Sequence, residues 1–359
     1  MTSLDDHEAI AGLDSLGVLA AVEGFAAQIE RGWFLGSAVA GLPDAAGLDS
    51  VVVLGMGGSA AAGDVVLAVT EDRSPVPVVV HKGYGPLPEW VGRNTLVVGI
   101  SYSGNTEETL TTFEEAHGRG ARLVSIASGG TLASIASGFG AAHIEVPGGT
   151  QPRAALGYLA MPLLAVLEGV GLVPTFDDDV AAASALISNL AGRYGRTTGA
   201  GSNPAKELAT KLHEKVPVVY GGRGLGAAIA SRFKNDVNEY AKAPAFYNVL
   251  PEADHNEICA WAARSGDAPF VGVMVRDEDD HPRVAARFDI TARIIEDSGA
   301  EVIDLRTEEG APLVRILATL YLTQLTAIYL AILRGVDPGP VAAIDRLKSE
   351  LAALEGAKS

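Results

Sequence analysis

Two short stretches carry residue types suited to holding one phosphate monoester. Gly55-Met56-Gly57-Gly58-Ser59 follows the apolar run Val51-Val52-Val53-Leu54, and Ser101-Tyr102-Ser103-Gly104-Asn105-Thr106 follows Leu96-Val97-Val98-Gly99-Ile100. Continuous apolar runs of this kind suit parallel strands covered on both faces, and ligands of such sheets sit beyond the carboxyl ends of the strands. At that edge Gly57 and Gly58 let the backbone approach an anion, and the free N–H groups of a helix start attract it. The hydroxyls of Ser59, Ser101, Ser103 and Thr106 can donate to its oxygens without bringing a permanent charge.

A dinucleotide competes for the first stretch, because Gly55-x-Gly57-x-x-Ala60 fits the pattern G-x-G-x-x-[GA] after a strand. The following strand should then end in Asp or Glu to bind ribose, but Val78-Val79-Val80 runs into His81-Lys82. NAD is thereby disfavoured, while Lys82 leaves an NADP-dependent oxidoreductase as an alternative. The second stretch is poorly explained as an ordinary helix cap with Ser103 capping, since one cap does not need three hydroxyls, a glycine and an asparagine in six residues. Gly99-x-Ser101-x-Ser103 lacks the last glycine of a nucleophile elbow, which weakens a hydrolase reading.

Other reactive residues are less specific. Arg232 to Lys242 reads as a helix with Phe233, Val237 and Tyr240 as its buried stripe; Glu239 points away from that stripe, where a carboxylate is ordinarily solvated. Pro251-Glu252-Ala253-Asp254-His255-Asn256-Glu257 gathers a histidine and carboxylates without any known metal-ligand spacing. Cys259 reads as a small buried thiol, and Asp277-Glu278-Asp279-Asp280 as a solvated loop.

The elements that must position these residues follow a βαβ rhythm. Residues 13–46 read as mostly helical, anchored by Leu16, Leu19, Ile29, Trp33 and Phe34. Strand-like runs recur at 51–55, 77–81, 95–100, 122–126 and 143–146. A helical stretch from Ala154 to about Leu212 contains an acidic loop, Asp177-Asp178-Asp179, and a Gly/Ser break at 199–204. Runs resume at 216–220, 245–250, 269–275 and 301–305, before closing helices at 312–334 and about 338–354. Val216 to Gly224 echoes the strand-then-glycine opening of the first half, so one α/β unit is used twice. The division expected is a helical segment over 1–48, a first, phosphate-binding domain over 49–175 and a second domain over 176–359.

Composition agrees with a globular chain of two domains: 359 residues, 48% hydrophobic and 20% charged. A formal charge of −17 argues against nucleic acid or an anionic membrane as partner. One cysteine excludes an intramolecular disulfide and a Cys-rich metal site. The start, Met1 to Glu8, lacks the basic and apolar regions of a signal peptide, so a cytoplasmic protein is expected. Ile316 to Leu333 is nearly all apolar, yet with Gln324 at its middle it reads as the central helix of an α/β protein rather than a membrane span.

Several separated segments together resemble the sugar isomerase (SIS) fold and, within it, the bifunctional phosphoglucose/phosphomannose isomerase family. They are Gly55 to Ser59 with Gly63-Asp64, Ser101 to Thr109, Pro152 to Tyr158, Asn238-Glu239-x-Ala241-Lys242, Pro251-Glu252 with His255-Asn256-Glu257, and Ile344 to Lys348, in family order over most of the chain. The resemblance implies two SIS-type doubly wound parallel-sheet subdomains with flanking helices. It implies an aldose-ketose isomerase interconverting glucose 6-phosphate, and mannose 6-phosphate, with fructose 6-phosphate through a cis-enediol. Glu239 would be the base, Arg153 the cation facing the developing oxyanion, and His255 and Lys348 would assist ring opening. Gly57, Gly58, Ser59, Ser101, Ser103 and Thr106 would hold the phosphate. No metal or redox cofactor is implied; a homodimer is, with the active site at the interface and the histidine lent by the neighbouring chain. The alternative is a phosphosugar-binding regulator with the same cradle and no chemistry. Asp254 and Thr323-Gln324-Leu325 depart from the family pattern, which has Asn at the first position and a more polar segment at the second.

Overall fold

The structure, a computed structural model, describes residues 3–263 and 269–356, so Met1 and Thr2 of the N-terminal stretch lie outside it. Helices α1 (His7–Leu13), α2 (Val18–Glu23) and α3 (Phe25–Ser37) lead into β1 (Ser50–Leu54), α4 (Gly57–Thr70), β2 (Val78–His81), β3 (Thr95–Ile100), α5 (Glu107–Gly118), β4 (Arg122–Ala127), α6 (Gly130–Gly138) and β5 (Ala142–Glu145). A 3-10 turn, Pro152–Ala154, precedes α7 (Leu156–Gly169), α8 (Asp177–Tyr194) and α9 (Pro204–Leu212). The second half runs β6 (Val216–Gly221), α10 (Leu225–Glu239), β7 (Phe246–Val249), a 3-10 turn at Glu252–His255, α11 (Ile258–Ala262), β8 (Phe270–Arg276), α12 (Pro282–Asp297), β9 (Glu301–Arg306), α13 (Pro312–Leu333) and α14 (Ala342–Gly356).

Two sheets result, ordered β2-β1-β3-β4-β5 and β7-β6-β8-β9. Every strand pairing is parallel. The expected strand runs all recur; the central β1, β3, β6 and β8 are buried almost throughout, whereas the edge strands β2, β7 and β9 are partly exposed. In β1, Val51 and Val53 enter the main core while Val52 and Leu54 enter a second cluster with Phe113 and Leu132, the alternation that a pleated strand imposes. The apolar helix α13 lies in the core, with 94% of its most apolar window buried inside the protein. Its hydropathy is met by neighbouring helices.

Glycines set how closely the N-terminal helices approach the first sheet's layer. A Cβ on Gly157 of α7 would stand 2.7 Å from the Cβ of Gln28 on α3, so the two backbones meet more closely than side chains allow. Gln28 uses that proximity to donate from Nε2 to the carbonyl of Ala154, 2.8 Å away, in the turn that carries Arg153.

Three expectations need correction here. Leu19 and Ile29 are core residues, but Leu16 and Phe34 are exposed; Phe34 lies on the outer face of α3 under the Arg31 guanidinium. Asp177-Asp178-Asp179 is not a loop but the first turn of α8, where carboxylates suit the positive end of the helix dipole. Asp277 to Asp280 is not freely solvated. Asp277, Glu278 and Asp279 all pair with Arg315, which is buried at the start of α13.

Candidate active site

In the first sheet the chain leaves β1 toward β2 on one side and β3 toward β4 on the other, so the loops after β1 and β3 open side by side at the switch point, where ligands of open α/β sheets bind. Those loops are the two predicted stretches. They touch: the Tyr102 N–H donates to Ser59 Oγ at 3.3 Å, and Ser101 Oγ and Thr106 Oγ1 are 2.8 Å apart. No side chain caps α4 or α5, so the hydroxyls are not spent as N-caps. Ser103 is exposed beside them, its Oγ accepting from the Asn105 N–H at 3.3 Å. Gly57 holds φ +51°, the left-handed region that glycine adopts without strain.

Gly58 joins this cradle to the next part of the site. A Cβ there would stand 2.9 Å from the Pro152 carbonyl oxygen and 3.1 Å from the Arg153 nitrogen, so the start of α4 rests directly on the turn bearing Arg153. The Arg153 side chain is buried. Its Nη2 donates to the carbonyls of Pro338, at 2.9 Å, and of Gly339; its guanidinium lies 4.9 Å over the Tyr240 ring, and its Nη1 is 3.6 Å from Glu239 Oε2. The Nε has no partner among the described residues.

Glu239 ends α10. Phe233, Val237 and Tyr240 are fully buried, as periodicity predicts, but the polar side of the helix is not simply solvated. Arg232, Asp236 and Glu239 follow one another at helical spacing and turn toward Arg153. Arg232 and Asp236 form a buried pair at 3.0 Å. Burial pushes the Asp236 carboxyl up to about 7 in spite of the Arg232 charge beside it. Arg232 Nη2 donates to the Arg153 carbonyl, and Gln324 Nε2 of α13 donates to the same oxygen at 2.7 Å and to Tyr240 Oη at 2.9 Å. Arg232, Asp236 and Gln324 were missed from sequence. The signals were an i, i+4 charge pair in line with Glu239 and a lone amide in an apolar helix.

Of the other expected catalytic residues, His255 is exposed on the turn Glu252–His255 and makes no hydrogen bond with the described residues. Lys348 is exposed on α14. Neither contacts Arg153 or Glu239 within the chain. The turn under His255 is nevertheless firmly held. Asp254 accepts from Arg287 Nη1 at 3.0 Å and from Thr291 Oγ1 at 2.8 Å; Glu257 accepts from Asn248 Nδ2 at 2.9 Å and from Tyr220 Oη. Cys259 is exposed rather than buried, because the short α11 turns that side outward. Among the described residues no group of three His, Cys, Asp or Glu could hold a metal ion. Lys82 pairs with Asp64 at 2.7 Å, so a carboxylate stands beside the cation that a dinucleotide 2′-phosphate would need.

The second sheet has a corresponding switch point between β6 and β8. A carboxylate stands beside it. Asp280 sits against the backbone of Gly222, so closely that a Cβ at that position would collide with its carboxylate, and Asp280 Oδ2 accepts from the Asp277 N–H at 2.9 Å. Burial raises the Asp280 pKa. The strand-then-glycine echo is real in architecture, but the loop after β6 faces the carboxylate of Asp280 where the first half presents hydroxyls.

Residues 47–151 match the SIS domain family, and residues 201–351 match the bacterial phospho-glucose isomerase C-terminal SIS domain. A bifunctional phosphoglucose/phosphomannose isomerase of Caldicellulosiruptor bescii is 38% identical over 91% of this chain and 97% of its own. One of Aquifex aeolicus is 41% identical over 84% and 90%. A crystal structure of a Thermus thermophilus protein superposes with a TM-score of 0.74 over 98% of this chain and 94% of that one, at 16% identity, and so shares the fold. On these matches the chain belongs to the bifunctional phosphoglucose/phosphomannose isomerase family.

Proposed function

We propose that the protein interconverts glucose 6-phosphate, and mannose 6-phosphate, with fructose 6-phosphate. One observation carries the reading: Arg153 spans from the hydroxyl-lined cradle, through the contact of its turn with Gly58, to the carboxylate of Glu239. The phosphate is held by Gly57, Gly58, Ser59, Ser101, Ser103 and Thr106, so the unreactive end of the sugar fixes the orientation of the reactive end. Glu239 takes the proton from C2 of the open-chain aldose and returns it to C1 of the cis-enediol, while O1 gains a proton and O2 gives one up; general-base catalysis of this kind contributes about 10²–10⁴-fold. Negative charge grows on the substrate oxygen in between. The Arg153 guanidinium, charged at any working pH, offsets it.

Ring opening falls to His255, lent by the neighbouring copy across a homodimer interface, and to Lys348. What supports this part is that His255 faces outward and makes no hydrogen bond or ion pair with Arg153 or Glu239 of its own chain, and that α14 leaves Ile344, Leu347, Leu351 and Leu354 exposed along one side for a second copy to cover. In the same reading the chain divides into residues 1–48, 49–175 and 176–359, and it works in the cytoplasm, where a free exposed thiol such as Cys259 stays reduced. The test is a coupled assay on both aldose 6-phosphates, before and after treatment with a chelator. Turnover that survives chelation is expected. Binding of sugar phosphates with no turnover would favour the regulator instead.

A further inference from the structure

We infer that Gln324 is a positioning residue for the isomerisation, holding Arg153 from both ends. The inference rests on the function proposed above. Arg153 has two parts that must be fixed if its charge is to meet a developing oxyanion: the backbone from which the side chain springs and the guanidinium plane. One amide nitrogen reaches both. Gln324 Nε2 carries two hydrogens, and they go to the carbonyl of Arg153 at 2.7 Å and to the hydroxyl of Tyr240 at 2.9 Å, the ring of Tyr240 being the surface on which the guanidinium lies.

The surroundings explain why a neutral amide does this. Gln324 is buried within α13, whose flanking residues Thr323, Leu325 and Thr326 are buried as well. A charged donor there would need its own counter-ion. Such a pair already exists on the other side of the same carbonyl, where Arg232 donates to it and Asp236 balances the charge. The Arg153 oxygen is thus gripped by one charged and one neutral donor from two different helices. Only the neutral one also reaches the ring under the guanidinium.

The test is a double-mutant cycle on the full-length protein with Gln324→Met, Arg153→Ala and the double variant, reading kcat, KM and melting temperature with each aldose 6-phosphate. Gln324→Met keeps the shape and removes both donors. It is expected to lower kcat about 10- to 100-fold with KM within about threefold of the parent, since misplacing a charged group by an ångström costs on that order. The carbonyl of residue 153 survives in Arg153→Ala. Gln324→Met should therefore lower the melting temperature equally in both backgrounds but change kcat less than about twofold once the guanidinium is gone. Equal kcat losses in both backgrounds, or a loss confined to KM, would overturn the inference. If Gln324→Met does not fold, Gln324→Asn, one methylene short of both acceptors, replaces it in the cycle. A parent with no isomerase activity overturns the function and this inference together; an active parent with additive losses overturns this inference alone.

Discussion

Glu239 is the one carboxylate within ion-pair distance of Arg153 among the described residues, Oε2 to Nη1 at 3.6 Å, and it is the more exposed of the two. That separation is loose for an ion pair, and the partners differ in what else holds them. Arg153 is fixed by carbonyls and a ring, whereas Glu239 is free to turn toward a substrate. Glu239→Gln should lower kcat by about 10²–10⁴-fold, as expected when a general base is lost. Binding of fructose 6-phosphate by calorimetry should change little. Loss of binding in step with turnover would mean that Glu239 holds the sugar instead of deprotonating it.

Gly58→Ala tests the joint between cradle and cation. The new Cβ would press on Pro152 and on the Arg153 nitrogen, all backbone atoms. The turn must shift, at a cost of about 1–3 kcal/mol in stability. Both kcat and KM should worsen, because the substitution disturbs the phosphate seat and the guanidinium at once. By contrast Ser103→Ala, at an exposed hydroxyl of the cradle, should raise KM and leave kcat and the melting temperature near the parent values.

Asp254→Ala should release the turn that presents His255. The buried Thr291 hydroxyl loses its acceptor while the 39% exposed Arg287 turns to water, and stability should fall by about 1 kcal/mol, toward the low end of the cost of one unpaired buried polar group. Asp254→Asn keeps one oxygen to accept from Arg287 and turns its Nδ2 toward Thr291 Oγ1, which can accept instead of donating, and should retain most of the activity. If Asp254→Ala is fully active, the attachment of the turn Glu252–His255 to α12 has no bearing on ring opening.

Leu351→Asp places a charge in the middle of the exposed apolar side of α14, where Leu347 is 58% and Leu354 62% exposed. A smaller hydrodynamic size by sedimentation and a drop in specific activity on dilution are expected. A variant with the parent's hydrodynamic size and activity would show that this helix is not a contact surface.

Alkaline pH should unfold the protein through its buried tyrosines. Burial raises the pKa of Tyr194 to about 12 and also raises those of Tyr240, Tyr321 and Tyr329. A group whose folded pKa is raised adds stability that is complete below its unfolded value, near 10, and is lost as pH climbs through the folded value. Stability should therefore decline from about pH 10 upward. Absorbance of these phenolates should appear together with loss of circular dichroism. Their ionisation in a still-folded protein would contradict this.

The strands were legible because runs such as Val51 to Leu54 and Leu96 to Ile100 satisfy only one environment, the inside of a parallel sheet. The cradle was legible for a related reason: glycines and hydroxyls placed at strand ends have few structural uses. Partnership was not. Arg153 and Arg232 are 79 positions apart, and helix periodicity says which side of α10 is apolar without saying what its polar side meets. The same gap explains Phe34, an apolar residue at helical spacing that faces solvent, and Cys259, whose small size left its direction open. Gln324 was visible as an oddity in an apolar helix, but its two acceptors lie 171 and 84 positions earlier in the chain.

Because Asp280 already sits against Gly222, its carboxylate repels a phosphoryl group from the duplicated turn. Saturation should accordingly occur at one ligand per polypeptide, with the duplicate unit free to contribute chemistry in place of a second grip.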